Sequence, residues 1–246
     1  MIKVIPSIFL REGKVVRTKG SDINEFVTYE RDPIDLSMEF ADNGFSRLHV
    51  VDLDGASRRK IVHHEVLELI VKYSKLEVNF SGGITTDAGV RTAFECGAHS
   101  VTVATAAITD PDRFYSWFIT YGGPEKIILA ADSLDGQVLY KGWKGDSGID
   151  LKAHVKHFYE RGIYYVKATE IGRNGTLEGP AFELYQDLRQ TFPDLKIIAS
   201  GGVRSLEDVE QLDALGVHSV ILGKSLYDGI ISYSQLQKYN ETSPAV

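Results

Sequence analysis

The feature that most constrains the fold is an internal repeat separated by about half the chain length. Residues 197–224 combine an apolar strand, a glycine turn, an amphipathic helix and a second apolar strand, and residues 78–105 have the same order. Ser200-Gly201-Gly202 follows Ser81-Gly82-Gly83 by 119 positions, and the helix-to-strand turns that come next keep this spacing. In a chain of 246 residues, the spacing indicates a duplicated unit of strands and helices.

Short apolar runs alternate with segments of helical periodicity along the chain, as in parallel α/β proteins. The predicted strands are residues 2–9, 47–52, 76–80, 100–103, 126–132, 163–169, 195–200 and 219–222. The predicted helices are residues 33–43, 63–73, 87–96, 111–121, 150–161, 180–192, 205–215 and 231–239. This pattern predicts an α/β fold, a (β/α)8 TIM barrel built from two duplicated half-barrels, with a doubly wound open sheet as the alternative.

The barrel should occupy residues 1–240 as a single domain, followed by a frayed C-terminal tail over residues 241–246. Three long polar segments, residues 10–32, 55–62 and 134–149, each follow a predicted strand. Loops after strands form the functional face of a barrel, so we expect these segments to border the site.

Composition excludes several classes of function. The net charge is −7 and no run of lysine or arginine stands out, which argues against nucleic-acid binding. No apolar run approaches the roughly 18 residues that a membrane span needs, and the first residues lack a signal-peptide pattern. Histidine spacing does not match a zinc site. We therefore expect a cytoplasmic protein without a metal. We also expect a monomer.

The two glycine turns suggest anion binding. Adjacent glycines let the backbone approach a phosphate closely, and the loops after the last two strands of barrels often hold one. Each turn is paired with residues at the end of the next strand, which predicts two phosphate sites on opposite sides of the mouth. The alternative is that the glycines only make tight turns. The predicted phosphate-binding residues are Gly82, Gly83, Ala104 and Thr105 on one side, and Gly175, Gly201, Gly202, Gly223 and Lys224 on the other.

The same residues carry a resemblance to the barrels of histidine biosynthesis. The chain resembles the family of the isomerase of phosphoribosylformimino-aminoimidazole carboxamide ribotide (ProFAR), and less closely its sister, the cyclase subunit of imidazole glycerol phosphate synthase. The similar segments are Leu48 to Ala56, Gly142-Trp143, Thr169-Glu170-Ile171, Gly175-Thr176-Leu177 and Ile198 to Val203, whereas Val103 to Ala107 is more like the cyclase. The resemblance implies a bisphosphorylated small-molecule ligand, no metal or organic cofactor, and an Amadori rearrangement of the aminoaldose ProFAR to the aminoketose PRFAR.

The family's two acid–base aspartates are replaced here. The resemblance puts one at Phe9 and the other at Asn174. The repeat supports the first assignment independently, because laying Gly136 on Gly13, an offset of 123, lays Asp132 on Phe9. Phenylalanine cannot transfer a proton, and asparagine cannot act as a base near neutral pH.

The remaining candidates follow predicted strands. Asp132 and Thr169 are the predicted catalytic residues, with Thr169 rather than Glu170 facing the axis because neighbouring strand residues point to opposite sides. Trp143 should stack on the ligand's heterocycle, as in the resembling family, and Asp52 should bind substrate. For Asp132 the alternative is a structural hydrogen bond to the turn after the first strand. A structural role is the alternative for Asp52, and core packing is the alternative for Trp143.

Two functions stay open. The first is an isomerase with a rearranged acid–base set, and the second is a non-catalytic or repurposed paralogue that binds a bisphosphorylated ligand. Cyclase activity ranks below both, since it would need a glutaminase partner and the same missing first aspartate.

Overall fold

The computed structural model describes residues 1–19 and 22–240, so the predicted tail at 241–246 lies outside the described residues. Its strands are β1 (Lys3–Arg11), β2 (Lys14–Lys19), β3 (Asp22–Thr28), β4 (Arg47–Asp52), β5 (Glu77–Ser81), β6 (Ser100–Val103), β7 (Ile127–Leu134), β8 (Gln137–Tyr140), β9 (Gly145–Asp150), β10 (Tyr165–Glu170), β11 (Lys196–Ser200) and β12 (Ser219–Leu222). Its α-helices are α1 (Pro33–Asp42), α2 (Leu53–Arg58), α3 (His64–Ser74), α4 (Asp87–Glu95), α5 (Thr105–Thr109), α6 (Pro111–Thr120), α7 (Leu151–Tyr159), α8 (Phe182–Thr191), α9 (Leu206–Ala214), α10 (Lys224–Tyr227) and α11 (Tyr233–Leu236).

Eight strands close into a parallel barrel. The order is β1, β4, β5, β6, β7, β10, β11 and β12, with β12 paired back to β1 and with β7 paired to β10. The prediction of a (β/α)8 TIM barrel is therefore confirmed, and each of the eight predicted strands matches one of these strands within a few residues. Helices of the outer layer begin at side chains that accept backbone N–H groups, including Asp32, Thr86, Asp110, Asp150 and Ser205.

Alternation along the strands divides the apolar residues into two clusters. The larger cluster lies between the strands and the helices and includes Phe80, Phe114 and Phe158. The smaller cluster lies inside the barrel and consists of Ile5, Ile128, Ile198 and Ile221. This inner cluster fills the N-terminal end of the barrel, because Ile5 precedes Ser7 and Phe9 on the same face of β1, and those two residues line the opposite end.

Two of the predicted loops contain hairpins. After β1 the chain turns through Glu12 and Gly13 into β2, and after β7 it turns through Asp135 and Gly136 into β8. All four turn residues have positive φ, the geometry of the two-residue turns that match strand twist. The predicted helix over residues 231–239 is shorter than expected, with α11 followed by a 3-10 turn at Gln237–Tyr239. Within the described residues, no helix combines the length and apolar character of a membrane span.

Candidate functional site

The central cavity opens at the carboxyl ends of the strands. Gly82, Gly83, Ala104 and Thr105 line one side of it, so the predicted N-terminal phosphate residues all meet here. The deeper wall carries further predicted residues, namely Asp132, Trp143 and Thr169. Glu170, the neighbour of Thr169, instead accepts a hydrogen bond from the Gly172 N–H, outside this cavity.

A second cavity adjoins the first across the barrel mouth. It is lined by the other predicted phosphate residues, Gly175, Gly201, Gly202, Gly223 and Lys224. Four residues line both cavities: Phe9, Thr18, Asn174 and Ser200. The two glycine turns therefore face a shared mouth.

A buried ionic cluster forms the floor of the central cavity. The Lys167 ammonium donates to Asp132 Oδ1 at 2.6 Å and to Thr169 Oγ1 at 2.8 Å. The other carboxylate oxygen, Asp132 Oδ2, accepts from the Trp143 indole at 3.0 Å. Burial opposes ionisation of Asp132, but the charge and hydrogen bond of Lys167, with the bond from Trp143, lower the pKa of this carboxyl. Asp132 is thus an ionised carboxylate at the cavity floor, and its partners are Lys167 and Trp143 rather than the turn after the first strand.

The ionic cluster is present in one half-barrel. Ser7 pairs with His49 and Phe9 with Val51 between β1 and β4. At the equivalent positions of the other half, Ala130 pairs with Lys167 and Asp132 with Thr169. Phe9, His49 and Val51 therefore stand where the second half has Asp132, Lys167 and Thr169, so the Asp132–Lys167 ion pair has no counterpart in the first half.

Phe9 belongs to a stack of rings around a buried guanidinium. The Arg17 Cζ lies 4.5 Å from the Phe9 ring centroid and 4.2 Å from that of Tyr227. Arg17 also donates to the backbone oxygen of Ser7, and to its hydroxyl at 3.2 Å. Asn174 donates to Thr18 Oγ1 at 2.9 Å. Of the two residues that the resemblance assigned to acid–base positions, Phe9 thus lies in the arginine stack and Asn174 forms an amide-to-hydroxyl hydrogen bond.

His49 is a neutral histidine in the barrel interior. Its Nδ1 lies 2.6 Å from Asn79 Oδ1, which also accepts from Thr102 at 2.8 Å. Burial, and secondarily the charge of Lys167, lower the pKa of His49 to about 3. Because Nδ1 donates to the amide oxygen, its buried Nε2, which has no partner within the described part of the chain, carries a lone pair.

Asp52 does not line either cavity, unlike the other predicted site residues. Its carboxylate is fully buried and accepts from the N–H groups of Gly55 at 2.7 Å, Val62 at 2.7 Å and His63 at 3.0 Å. These bonds hold the start of α2 and the segment before α3 together. Asp52, Asp54 and His63 have ligand-type atoms within 4.8 Å of one another, but the hydrogen bonds already use both oxygens of Asp52. The Asp52 carboxylate therefore faces these backbone groups and not the cavities, in contrast to the prediction that it binds substrate.

Three further cationic residues of the mouth were not predicted from the sequence. Lys167 is a buried lysine between Val166 and Ala168, and its position two residues before Thr169 was a usable signal, because both must face the axis. Arg17 lines the second cavity from β2, and Arg59 lines the central cavity beside Gly82 and Gly83. The positions of Arg17 and Arg59 depend on how the loops after β1 and β4 fold, and the sequence pattern does not predict that.

The fold and this mouth define a (β/α)8 barrel whose two glycine turns border one cationic cleft. The chain belongs to the family described as Histidine biosynthesis protein, whose model matches residues 3–232.

Three curated relatives are similar to it over nearly its full length. The relative from Cytophaga hutchinsonii is 39% identical over 240 residues, which is 98% of this chain and 100% of the relative. Those from Parabacteroides distasonis and Bacteroides fragilis are 40% and 41% identical over 239 residues, in each case 97% of this chain and 100% of the relative. All three are named 1-(5-phosphoribosyl)-5-((5-phosphoribosylamino)methylideneamino) imidazole-4-carboxamide isomerase.

Proposed function

We propose that this protein is an intramolecular aldose–ketose isomerase that converts the aminoaldose ProFAR to the aminoketose PRFAR. ProFAR is the phosphoribosyl imidazole-4-carboxamide compound in the names of its relatives. The shared mouth of the two glycine turns carries the proposal, because it suits a ligand with a phosphate at each end. Gly82, Gly83, Ala104 and Thr105 would hold one phosphate, and Gly175, Gly201, Gly202, Gly223 and Lys224 the other. Trp143 would form one wall for the planar heterocycle. The protein would act as a monomer without a metal or organic cofactor.

Asp132 is the proposed general base, in place of the replaced aspartates. The reaction needs one group to protonate the sugar as its ring opens and one to remove the proton from C2. The lowered pKa of Asp132 keeps its carboxyl group ionised, which is the protonation state that a general base requires. Its neighbour at 2.6 Å, the Lys167 ammonium, is a proton donor, and the Thr169 hydroxyl joins the two groups. This arrangement supports acid–base chemistry on one side of the cavity floor.

A turnover assay tests the proposal. Purified protein treated with EDTA should convert ProFAR to PRFAR. Chromatography of substrate and product measures the conversion. Asp132→Asn should lower the rate by about 10²–10⁴-fold, the usual contribution of a general acid or base. Tight ProFAR binding without any conversion would reject the isomerase and leave a binding protein.

Phe9 and Asn174 favour a second candidate, a non-catalytic or repurposed barrel that binds a bisphosphorylated ligand. Phe9 packs on Arg17, so the position of the family's first aspartate holds an aromatic ring in a stack. Restoring both acids distinguishes the candidates. The double variant Phe9→Asp with Asn174→Asp should raise ProFAR turnover by about 10²–10⁴-fold if the site still orients the substrate. No gain in a folded double variant that still binds ProFAR would favour the binding protein.

A further inference from the structure

The Lys167 amine is the one primary amine among the residues that line the central cavity of the described chain. Lys167 is 9% exposed, which is unusual because lysine is rarely buried without a functional or structural reason. It lies on the strand next to Asp132, and its Nζ contacts both the carboxylate and the Thr169 hydroxyl. A buried lysine beside an acid–base group has the composition of a nucleophilic amine site.

We propose that Lys167 forms an imine with a small phosphorylated aldehyde or ketone bound in this cavity. This activity goes beyond the proposed isomerisation and does not depend on it. The glycine turns would hold the phosphate, and the carbonyl carbon would lie against the cavity floor. Phe9 and Val51, which stand opposite the ionic cluster by the repeat, would keep that side of the floor apolar.

The chemistry balances with the groups present. Asp132 takes a proton from the Lys167 ammonium, and the free Nζ electron pair attacks the carbonyl carbon as the C–O π electrons move to oxygen. Asp132 returns a proton to that oxygen, which gives a carbinolamine. Asp132 then takes the second proton from nitrogen and delivers it to the hydroxyl, which leaves as water while nitrogen forms the C=N bond. In total, one ammonium and one carbonyl give one protonated imine and one water, and Asp132 ends ionised.

Neighbouring groups fit these proton movements. Asp132 Oδ1 lies 2.6 Å from Nζ, so transfer between them needs no intervening water. Trp143 holds the second oxygen at 3.0 Å and fixes the direction of the carboxylate. The repeat places His49 at the position equivalent to Lys167, and its pKa of about 3 keeps it neutral. The amine and its acid–base partner therefore act in one half-barrel.

Reductive trapping tests the proposal in the wild-type protein. Glyceraldehyde 3-phosphate is added with sodium borohydride, which converts the imine to a stable secondary amine, and the adduct is mapped by peptide mass spectrometry. We expect one adduct per chain, on Lys167. Glyceraldehyde without phosphate should give about tenfold less adduct at equal concentration, and inorganic phosphate should compete. Adducts spread over exposed lysines, or equal labelling by both aldehydes, would overturn the proposal.

Variants separate the amine from its charge. Lys167→Met and Lys167→Arg should both lose the adduct, and Lys167→Arg keeps a positive charge beside Asp132 if the neutral variant does not fold. Lys152→Met is the matched control, because Lys152 forms an exposed pair with Asp187 at 3.1 Å, and it should trap like the wild type. An adduct without ProFAR conversion would reject only the isomerase. Conversion without an adduct would reject only the imine.

Discussion

Asp132 and Lys167 form an ion pair that is largely shielded from water. Both are nearly buried, and the Nζ-to-Oδ1 distance is 2.6 Å. Breaking such a pair leaves a charge in a low-dielectric site, whereas an exposed pair such as Lys152 with Asp187 is screened by water.

Removing one member of the pair should therefore destabilise the protein. We expect Lys167→Met to lower the free energy of unfolding by about 3–5 kcal/mol, because Asp132 is left without its cation. The double variant Lys167→Met with Asp132→Asn should recover most of that loss. Urea unfolding of both single variants and the double variant measures the coupling.

The matched comparison is Lys152→Met, for which we expect a change of about 0–1 kcal/mol. Equal losses for Lys167→Met and Lys152→Met would show that the buried pair contributes no more than a surface pair. If the loss of unfolding free energy in the double variant equals the sum of the losses in Lys167→Met and Asp132→Asn, the two side chains are not coupled.

At the scale of elements, the turn after β5 is set by close backbone packing. Gly82 has φ +99°, and a Cβ there would lie 2.1 Å from the backbone oxygen of Asp52. Gly122, at the end of α6, has nearly the same φ of +95°, but a Cβ there would meet no atom within 4 Å. Comparing alanine substitutions at Gly82 and Gly122 therefore separates the cost of backbone strain from the cost of steric overlap.

Gly82→Ala should therefore cost more than Gly122→Ala. Gly122→Ala should lose about 1–2 kcal/mol of unfolding free energy through the left-handed conformation alone. Gly82→Ala should lose about 1–3 kcal/mol more through overpacking, and it should weaken phosphate binding. Urea unfolding and phosphorus NMR titration with inorganic phosphate measure the two effects. Equal losses, or unchanged phosphate binding by Gly82→Ala, would contradict this account of the turn.

The barrel strands were predictable because parallel strands are buried on both faces and so appear as plain apolar runs. The hairpin turns at Glu12-Gly13 and Asp135-Gly136 lie in polar segments. Because these segments are polar, the short strands β2 and β8 were not predicted. Asp52 was misplaced relative to the cavity for a different reason. Alternation placed Thr169 toward the axis, and the same rule applied to β4 puts Val51 there and Asp52 outside.

The pairing of side chains inside the barrel could not be predicted from the sequence pattern. The role of Asp132 depends on Lys167, which is 35 positions away in the chain and adjacent only through the closure of β7 against β10. Arg17 and Phe9 likewise meet only because β2 folds back on β1. The glycine turns were found more easily, because the duplication repeats them in register.

At the scale of the whole molecule, buried neutral histidines make stability depend on pH. Burial lowers the pKa of His49 to about 3 and that of His154 to about 4, against an ordinary value of 6.5. Between these values the unfolded chain binds protons that the folded protein does not, so stability falls as pH decreases below about 6.5. Above that pH both states are neutral at these residues and the effect disappears.

Urea unfolding between pH 7 and pH 5 should show this fall, with each of the two histidines contributing up to about 1.4 kcal/mol per pH unit. His154→Gln should reduce the slope of unfolding free energy against pH by the contribution of one histidine. A slope unchanged by His154→Gln, or a stability that rises as pH falls from 7 to 5, would contradict the assignment.

Because only one half-barrel carries the ionic cluster, the direction in which a ligand with two phosphates binds would decide whether it reacts. Such a ligand could lie across the mouth in either direction, and only one direction brings its reactive carbon to Asp132 and Lys167. The reversed complex would be nonproductive, which lowers kcat and KM by the same factor and leaves kcat/KM unchanged. Arg17 and Lys224 line the second cavity, whereas Arg59 lines the central cavity. Substitutions at these cations would therefore alter the direction of binding while leaving the ionic cluster intact.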